Sequence, residues 1–278
     1  MITLHARAKG FHIRSTIQPF KFPGGECHLK TGTPTHEVQS FAVVRGADAN
    51  DLLTARMWVE ASREIETTEE LTVYIPYLPA ARADRGTPFG AKDYADLINS
   101  IGADRVVCFD PHSDVMPAFI DNLTVVGSAA LIRQAVQNRV LGTSRYTGVI
   151  APDKGAAHRA KAAAAALHLP LYQADKDRDF DSGEIIGLTC EPLPEDGTYL
   201  VVDDICDGGW TFTSLAQATG LHRDQLGLYV SHGIFSGNAA RLNEYYSEII
   251  TTDSHPGAHN PDVAARVVPV LPNLMIGA

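Results

Sequence analysis

Apolar runs and longer amphipathic stretches alternate along this chain. Short apolar runs predict buried strands, and stretches with apolar residues three and four apart predict helices. The first series of such segments is 40–44, 51–65, 71–75, 91–101 and 105–109. The second series is 123–126, 129–138, 148–150, 156–167, 199–202, 211–219, 226–230 and 249–251. We therefore expect an α/β protein of two similar doubly wound domains with mostly parallel sheets, residues 1–127 and 128–278.

The segment 199–213, YLVVDDICDGGWTFT, joins an apolar strand to several acidic residues. In open α/β sheets, ligands bind at the carboxyl ends of the strands, which is where Asp203, Asp204 and Asp207 fall. Burying unpaired charge is costly, so adjacent acids at this place suit hydroxyl groups or a metal ion. The segment therefore predicts a binding site.

The glycines of this segment predict what the site binds. Gly208 and Gly209 let backbone N–H groups approach an anion, and the start of the next helix aims its positive dipole end at the same place. A phosphorylated ribose fits both the acids and the glycines. A plain turn in which Asp207 or Thr211 caps the helix is the alternative, but it leaves the paired acids unexplained.

Composition narrows the class of function. The chain has 278 residues, 45% hydrophobic content and a formal net charge of -10. Its acidic balance argues against nucleic acid or an anionic membrane as a partner, since both attract basic proteins. The four cysteines are scattered, and neither a signal-peptide pattern nor a membrane-spanning apolar run is present. We therefore expect a cytoplasmic protein.

The segment 199–213 resembles the phosphoribosyl-pyrophosphate loop of the type I phosphoribosyltransferase fold, which synthetases and transferases share. Other segments resemble, in the same order, those of ribose-phosphate pyrophosphokinases, also called phosphoribosyl-pyrophosphate synthetases. They are FPGGE (22–26), YIPYLPAARADRG (74–86), DRVVCFDPHS (104–113), APDKGAAHRAKA (151–162), ADKDRDFDSGEIIG (174–187) and SHGIFSGNA (231–239). These segments span most of the chain, which is identified by resemblance as a member of this family.

The resemblance implies a reaction of nucleotide biosynthesis. The β,γ-pyrophosphoryl group of ATP is transferred to the anomeric hydroxyl of ribose 5-phosphate, with Mg²⁺ as cofactor, to give phosphoribosyl pyrophosphate and AMP. The resemblance also implies two domains of type I phosphoribosyltransferase-like fold with the active site between them. Such a reaction depends on positioning and on charge stabilisation more than on a covalent nucleophile.

Lys176 and Arg178 are the catalytic residues that the resemblance implies. They match the Lys-x-Arg of the family's flexible catalytic loop, and 175–184 is the one candidate for a mobile loop, because it is dense in charge and closed by Ser-Gly. The two cations would close over the phosphates and stabilise developing negative charge. A solvated loop is the usual interpretation of such a charged run, but the order of the flanking motifs favours catalysis.

His112 and Asp153 match positions that contact the catalytic Mg²⁺ in the family. Asp153 also begins the pyrophosphate loop, with Lys154 and Gly155. A lone histidine is more often structural, and an aspartate after proline is commonly a turn residue. Mg²⁺ prefers oxygen ligands and retains water, so His112 is expected to act partly through phosphates or a coordinated water.

Three segments match the family's ATP site. The implied ATP-binding residues are Phe22, Glu26, Arg82, Asp84, Arg85 and His112. The planar, permanently charged fork of arginine suits phosphate oxygens. Phe22 and Glu26 match a loop that reaches the ATP site of a neighbouring subunit, where it stacks on adenine and accepts a hydrogen bond. A homo-oligomer, a dimer or a hexamer, is therefore implied.

Seven residues form the implied ribose-5-phosphate loop: Asp203, Asp204, Asp207, Gly208, Gly209, Trp210 and Thr211. Asp203 and Asp204 would address the 2- and 3-hydroxyl groups and metal, and the others, Trp210 excepted, would form the cradle for the 5-phosphate. His232 and Ser236 belong to a second turn rich in small residues and are expected beside this site, as contacts or as structural caps.

Three positions depart from the family pattern. Gly24 replaces an acid of the segment that contacts adenine, and Gly155-Ala156 replaces a pair of glycines. Trp210 stands where the ribose loop usually carries glycine. Its indole would narrow the sugar site or stack on a base of a larger acceptor. A ribose 5-phosphate end within a larger molecule, such as ADP-ribose, is therefore the alternative acceptor.

Two other classes of function remain as alternatives. A phosphoribosyltransferase would share the ribose loop, but it has no need of the ATP segment. A non-catalytic regulatory homologue would keep the fold and lose the catalytic cations. Retention of Lys176, Arg178, His112 and Asp153 argues against that class.

Overall fold

The computed structural model describes residues 1–8, 11–13, 15–33, 39–65, 70–137, 143–178 and 185–277, with the backbone alone at 8, 11–13, 176–178 and 185–187. The strands are β1 (Ile2–Ala8), β2 (Phe11–Ile13), β3 (Ile17–Lys21), β4 (Cys27–Thr31), β5 (Gln39–Val44), β6 (Thr72–Ile75), β7 (Arg105–Phe109), β8 (Leu123–Val126), β9 (Gly148–Ala151), β10 (Leu171–Arg178), β11 (Ile185–Cys190), β12 (Tyr199–Cys206), β13 (Leu226–Gly233), β14 (Glu248–Thr252) and β15 (Ala265–Val268). The α-helices are α1 (Ala49–Ile65), α2 (Gly90–Asn99), α3 (Ala129–Val136), α4 (Ala157–Leu167), α5 (Trp210–Thr219), α6 (Leu242–Tyr245) and α7 (Leu271–Gly277).

The chain forms two compact units. Unit 1 comprises Met1–Val126 and Leu271–Ala278, and unit 2 comprises Gly127–Val270. The C-terminal helix α7 lies in unit 1 because it packs on β7 and β8, and Arg7 donates a hydrogen bond to the Met275 sulfur at 3.3 Å. The sequence analysis placed this helix in the second domain.

Unit 1 is built on a mixed sheet whose described strands have the order β2-β1-β5-β6-β7-β8. The strands from β5 to β8 are parallel, whereas β1 runs antiparallel to β5 and to β2. Trp58 of α1 is fully buried in the core beneath this sheet. A separate antiparallel hairpin, β3 with β4, carries the segment 22–26 at its tip.

Unit 2 is built on a sheet whose described strands have the order β11-β10-β9-β12-β13-β14-β15. Its strands are parallel except β11, which runs antiparallel to β10. The predicted α/β class with mostly parallel sheets is confirmed. Among the described residues, none of the helices combines the length and apolar character that a membrane crossing requires.

The central strand of unit 2 is β12. Its first four residues, 199–202, are buried because helices cover both faces of a parallel sheet. Tyr199, Tyr229 and Tyr246 are among the largest fully buried side chains of this unit. With this core on both sides, the carboxyl end of β12 is held firmly where the acidic residues begin.

Candidate active site

Asp203 and Asp204 lie within the end of β12, which is longer than predicted, and Asp207 follows directly after it. The strand continues to Cys206 because its pairing with β13 continues, with Asp203 opposite Val230 and Cys206 opposite Gly233. The side chains of Asp203 and Asp204 are 13% and 5% exposed. Two nearly buried carboxylates therefore stand side by side at the carboxyl edge of the sheet.

The two carboxylates interact with each other and with an arginine that the sequence analysis missed. The Asp204 backbone N–H donates to Asp203 Oδ1 at 2.8 Å. Burial and the neighbouring charge of Asp204 raise the pKa of Asp203 well above its usual value, and the charge of Arg159 acts in the opposite direction. The sequence offers only a weak signal for Arg159, which is one of two basic residues, with Lys161, in an alanine-rich helix.

A glycine turn follows the acids and begins α5. Gly209 is the N-cap residue, with a φ of 81°, so the N-cap position carries no side chain that could accept a capping hydrogen bond. Neither Asp207 nor Thr211 is the N-cap residue, and the alternative in which one of them merely caps α5 stays a prediction. The N-terminal end of a helix favours an anion, because its first N–H groups have no partner within the helix.

Asp207 is held by the turn that follows β13. Its Oδ1 accepts a hydrogen bond from Ser236 Oγ, and its backbone oxygen accepts one from the Ser236 N–H at 3.2 Å. His232 is buried and its Nδ1 lies 2.7 Å from Ser254 Oγ. Ser236 thus holds the carboxylate of Asp207, while the buried ring of His232 contacts Ser254.

Trp210 is the first residue of α5, and its side chain is 51% exposed. Its carbonyl accepts a hydrogen bond from Thr213 Oγ at 3.1 Å, which fixes the first turn of the helix. The indole offers a flat aromatic surface next to the glycine turn.

The predicted pyrophosphate loop joins β9 to α4. Asp153 Oδ1 accepts a hydrogen bond from the Ala156 N–H at 3.1 Å, so this side chain shapes the turn. Lys154 is 85% exposed, and its Nζ lies 3.7 Å from Asp175 Oδ1. The loop therefore presents a cation and the N-terminal end of α4 on the same edge of the sheet as the acids.

Lys176 and Arg178 lie on β10, paired with Leu188 and Ile185 of β11. The predicted loop 175–184 therefore begins as a strand in its first four residues, 175–178. The side chains of Lys176 and Arg178 and the residues 179–184 lie outside the described residues. Their catalytic assignment stays a prediction.

In unit 1, the loops after β6 and β7 bring three of the implied ATP residues together, Asp84, Arg85 and His112. Asp84 accepts hydrogen bonds from Ser113 Oγ at 3.0 Å and from Arg85 Nε at 3.3 Å. Burial acts to raise the pKa of Asp84, but these bonds and the charges of Arg85 and His112 hold it below its usual value. Asp84, His112 and Ser113 line a pocket of about 230 Å³, open solvent included.

Phe22 and Glu26 lie together at the tip of the hairpin formed by β3 and β4. The Phe22 N–H donates to the Glu26 carbonyl at 2.9 Å. The Phe22 ring is 46% exposed and lies 4.8 Å from the ring of Phe20 and 5.9 Å from that of His28. An exposed aromatic surface therefore stands where the sequence analysis expected contact with adenine.

The two predicted metal contacts lie in different units, His112 after β7 and Asp153 after β9. Within the described part of the chain, no three His, Cys, Asp or Glu side chains are grouped to hold a metal ion. Mg²⁺ at phosphate-transfer sites needs only one or two carboxylates, with substrate phosphates and water as its other ligands. The carboxylates on the edge of the unit 2 sheet fit that requirement.

No family model matches the chain. The chain is 30% identical over 238 residues to the ribose-phosphate pyrophosphokinase of Bradyrhizobium diazoefficiens, covering 76% of this chain and 71% of that protein. It is 30% identical over 265 residues to the protein of that name in Cereibacter sphaeroides (84% and 76%). With that of Rhizobium meliloti the identity is 32% over 213 residues (73% and 67%).

A solved structure supports the fold independently. The phosphoribosylpyrophosphate synthetase of Mycobacterium smegmatis superposes with a TM-score of 0.75 at 21% identity, over 95% of this chain and 88% of that one. The prediction of a type I phosphoribosyltransferase-like fold is thereby confirmed.

Proposed function

This chain belongs to the ribose-phosphate pyrophosphokinase family of enzymes, and on that premise we propose that it makes phosphoribosyl pyrophosphate. The β,γ-pyrophosphoryl group of ATP passes to the anomeric hydroxyl of ribose 5-phosphate, and AMP is released. The observation that carries the proposal is the carboxyl end of β12, where paired carboxylates precede a glycine turn and a helix whose N-cap residue is a glycine.

In this proposal the ribose loop binds ribose 5-phosphate at two places, its ribose hydroxyl groups and its 5-phosphate. Asp203 and Asp204 accept hydrogen bonds from the ribose hydroxyl groups, and such bonds to carboxylates are strong because the acceptor is charged. The 5-phosphate lies at the glycine turn, where backbone N–H groups and the positive end of α5 compensate its charge. Asp207, held by Ser236, borders this cradle.

The donor is held by cations in this proposal. Lys154 is exposed on the loop before α4 and faces the pyrophosphoryl group, while Lys176 and Arg178 stabilise the charge that develops as the bond to AMP breaks. Mg²⁺, with Asp153 and His112 as its proposed contacts, would supply further charge neutralisation. The chain's own residues would orient the phosphates and exclude water from them.

The nucleotide segments of unit 1 are proposed to bind ATP. Asp84 holds Arg85 by an ion pair and Ser113 by a hydrogen bond, which fixes the loop that also carries Arg82. Arginine on such a loop can grip phosphate with two parallel hydrogen bonds. The exposed ring of Phe22 is proposed to stack on adenine in a homo-oligomer.

Trp210 favours a second candidate acceptor. Its half-exposed indole stands directly after the glycine turn, where a base attached to the acceptor could stack on it. ADP-ribose has a ribose 5-phosphate end and an adenine base. Stacking of a base on an aromatic side chain contributes about 1–3 kcal/mol.

A product assay tests the two candidates side by side. The purified protein is incubated with ATP and Mg²⁺, with either ribose 5-phosphate or ADP-ribose, and the products are identified by mass spectrometry. AMP together with phosphoribosyl pyrophosphate supports the first candidate. AMP release with ADP-ribose and no turnover of ribose 5-phosphate would reject it in favour of the second.

Variants of Trp210 sharpen this assay. If the indole stacks on a base, Trp210→Ala raises the KM for ADP-ribose about tenfold, Trp210→Phe raises it less, and neither changes the KM for ribose 5-phosphate. Base-dependent release of pyrophosphate without AMP would instead indicate a phosphoribosyltransferase. A folded, inactive protein that binds an active synthetase would indicate a regulatory homologue.

A further inference from the structure

Arg159 connects the predicted pyrophosphate loop to the paired carboxylates. It is the third residue of α4, the helix that begins directly after that loop. Its side chain is only 10% exposed, although charged side chains are rarely buried unless they are paired. The paired groups lie on β12, a different element of unit 2.

One nitrogen of the guanidinium meets both acids. Arg159 Nη1 lies 3.5 Å from Asp203 Oδ1 and 3.4 Å from Asp204 Oδ1. Neighbouring residues of a strand normally point to opposite faces of the sheet. Here, an oxygen of each carboxylate is turned toward the same cation, so the arginine and the acids form one cluster.

We propose that Arg159 is a positioning residue for the acceptor. It holds the carboxylates of Asp203 and Asp204 in the orientation that accepts the ribose hydroxyl groups, and it ties them to the helix that follows the pyrophosphate loop. The inference rests on the proposed function, because it takes the ribose hydroxyls as the ligands of these acids.

The physical reason lies in the buried charges. Removing one member of a buried ion cluster leaves the others uncompensated, and two adjacent carboxylates then repel each other and turn toward water or take up a proton. Either change removes acceptors from the sugar site. Lysine would restore the charge, but its ammonium group is more strongly hydrated than a guanidinium and suits a buried ion pair less well.

Kinetics of Arg159→Met and Arg159→Lys test the proposal on the full-length protein. Arg159→Met is expected to raise the KM for ribose 5-phosphate at least about tenfold and to change the KM for ATP less than about twofold. Arg159→Lys should fall between this variant and the wild type. Lys161→Met, which removes an exposed cation from the same helix, is the matched control and should behave as the wild type.

A merely structural role predicts a different result. Thermal unfolding identifies the folded fraction of each variant, and equal losses for both substrates, or unchanged KM values in folded Arg159→Met, would overturn the proposal. If Arg159→Met does not fold, Arg159→Gln is measured in its place, with the same expected selective loss and the same contradicting outcomes.

Binding measurements separate this inference from the proposed function. The affinities of wild type and Arg159→Met for ribose 5-phosphate are measured by calorimetry, without turnover. If the wild type binds the sugar and forms no product, the proposed reaction fails while a selective loss of binding in the variant still supports the positioning role. Equal affinities, or no binding by the wild type, would overturn that role.

Discussion

Gly209 forms the turn between β12 and α5, and replacing it by alanine tests the geometry of the ribose loop. Its φ of 81° lies in the left-handed region, which L residues with a Cβ atom rarely adopt. An added Cβ would lie 3.3 Å from Leu242 Cδ2 and 3.5 Å from Ala239 Cα. Leu242 is fully buried, so it has little room to move away.

The cost of Gly209→Ala follows from these two contributions. The left-handed conformation costs an alanine about 1–2 kcal/mol. Crowding of a packed core by an added methyl group costs at least about 1 kcal/mol more. We therefore expect the free energy of unfolding of unit 2 to fall by about 2–3 kcal/mol, which lowers Tm by about 4–10 °C.

The neighbouring glycine provides the control. An added Cβ at Gly208 meets nothing within 4 Å, and its φ is not positive. Gly208→Ala should therefore leave Tm unchanged or raise it slightly, since alanine reduces the entropy of the unfolded chain. Thermal unfolding followed by circular dichroism measures both variants.

The result that would refute this reasoning is a Tm of Gly209→Ala equal to that of Gly208→Ala. Such a result would mean that the turn does not adopt the left-handed conformation at Gly209. The site described at the end of β12 would then have a different backbone, and the proposed position of the 5-phosphate would lose its support.

Three further predictions concern other parts of the chain. Tyr246→Phe removes the hydroxyl that donates to the Phe212 carbonyl at 2.7 Å, and it should lower the free energy of unfolding in urea by about 1–2 kcal/mol. The control Tyr245→Phe, at a partly exposed site, should lower it less. Equal losses in the two variants would contradict the buried hydrogen bond. Burial raises the pKa of Cys108 to about 12, so little thiolate exists at pH 8. Iodoacetamide should therefore label Cys108 only after unfolding, which peptide mapping would show. Rapid labelling of the native protein would contradict the burial of this thiol. Lys176→Ala should lower kcat far more than it lowers the affinity for ATP, as measured by steady-state kinetics and a binding assay. Comparable losses in kcat and in affinity would indicate a role in binding alone.

Much of the sheet architecture could be predicted because buried parallel strands carry continuous apolar runs. The runs 200–202, 226–230 and 249–251 became parts of β12, β13 and β14. The strands β1, β3 and β4 were not predicted, because the burial of their described side chains is partial or one-sided and gives a weak signal. The length of β12 was underestimated because its last residues are polar, although their backbone still pairs with β13.

The sequence by itself determined the family, the order of the motifs and the residue types that chemistry with a sugar phosphate needs. These are local properties, because they can be recognised within one short segment such as 199–213. Only the tertiary structure decided that Arg159 meets Asp203 across 44 residues of sequence, and that α7 belongs to unit 1. Both depend on strand order and on helix packing. Contacts between residues far apart in the sequence determine these features, so they cannot be recognised within any single segment.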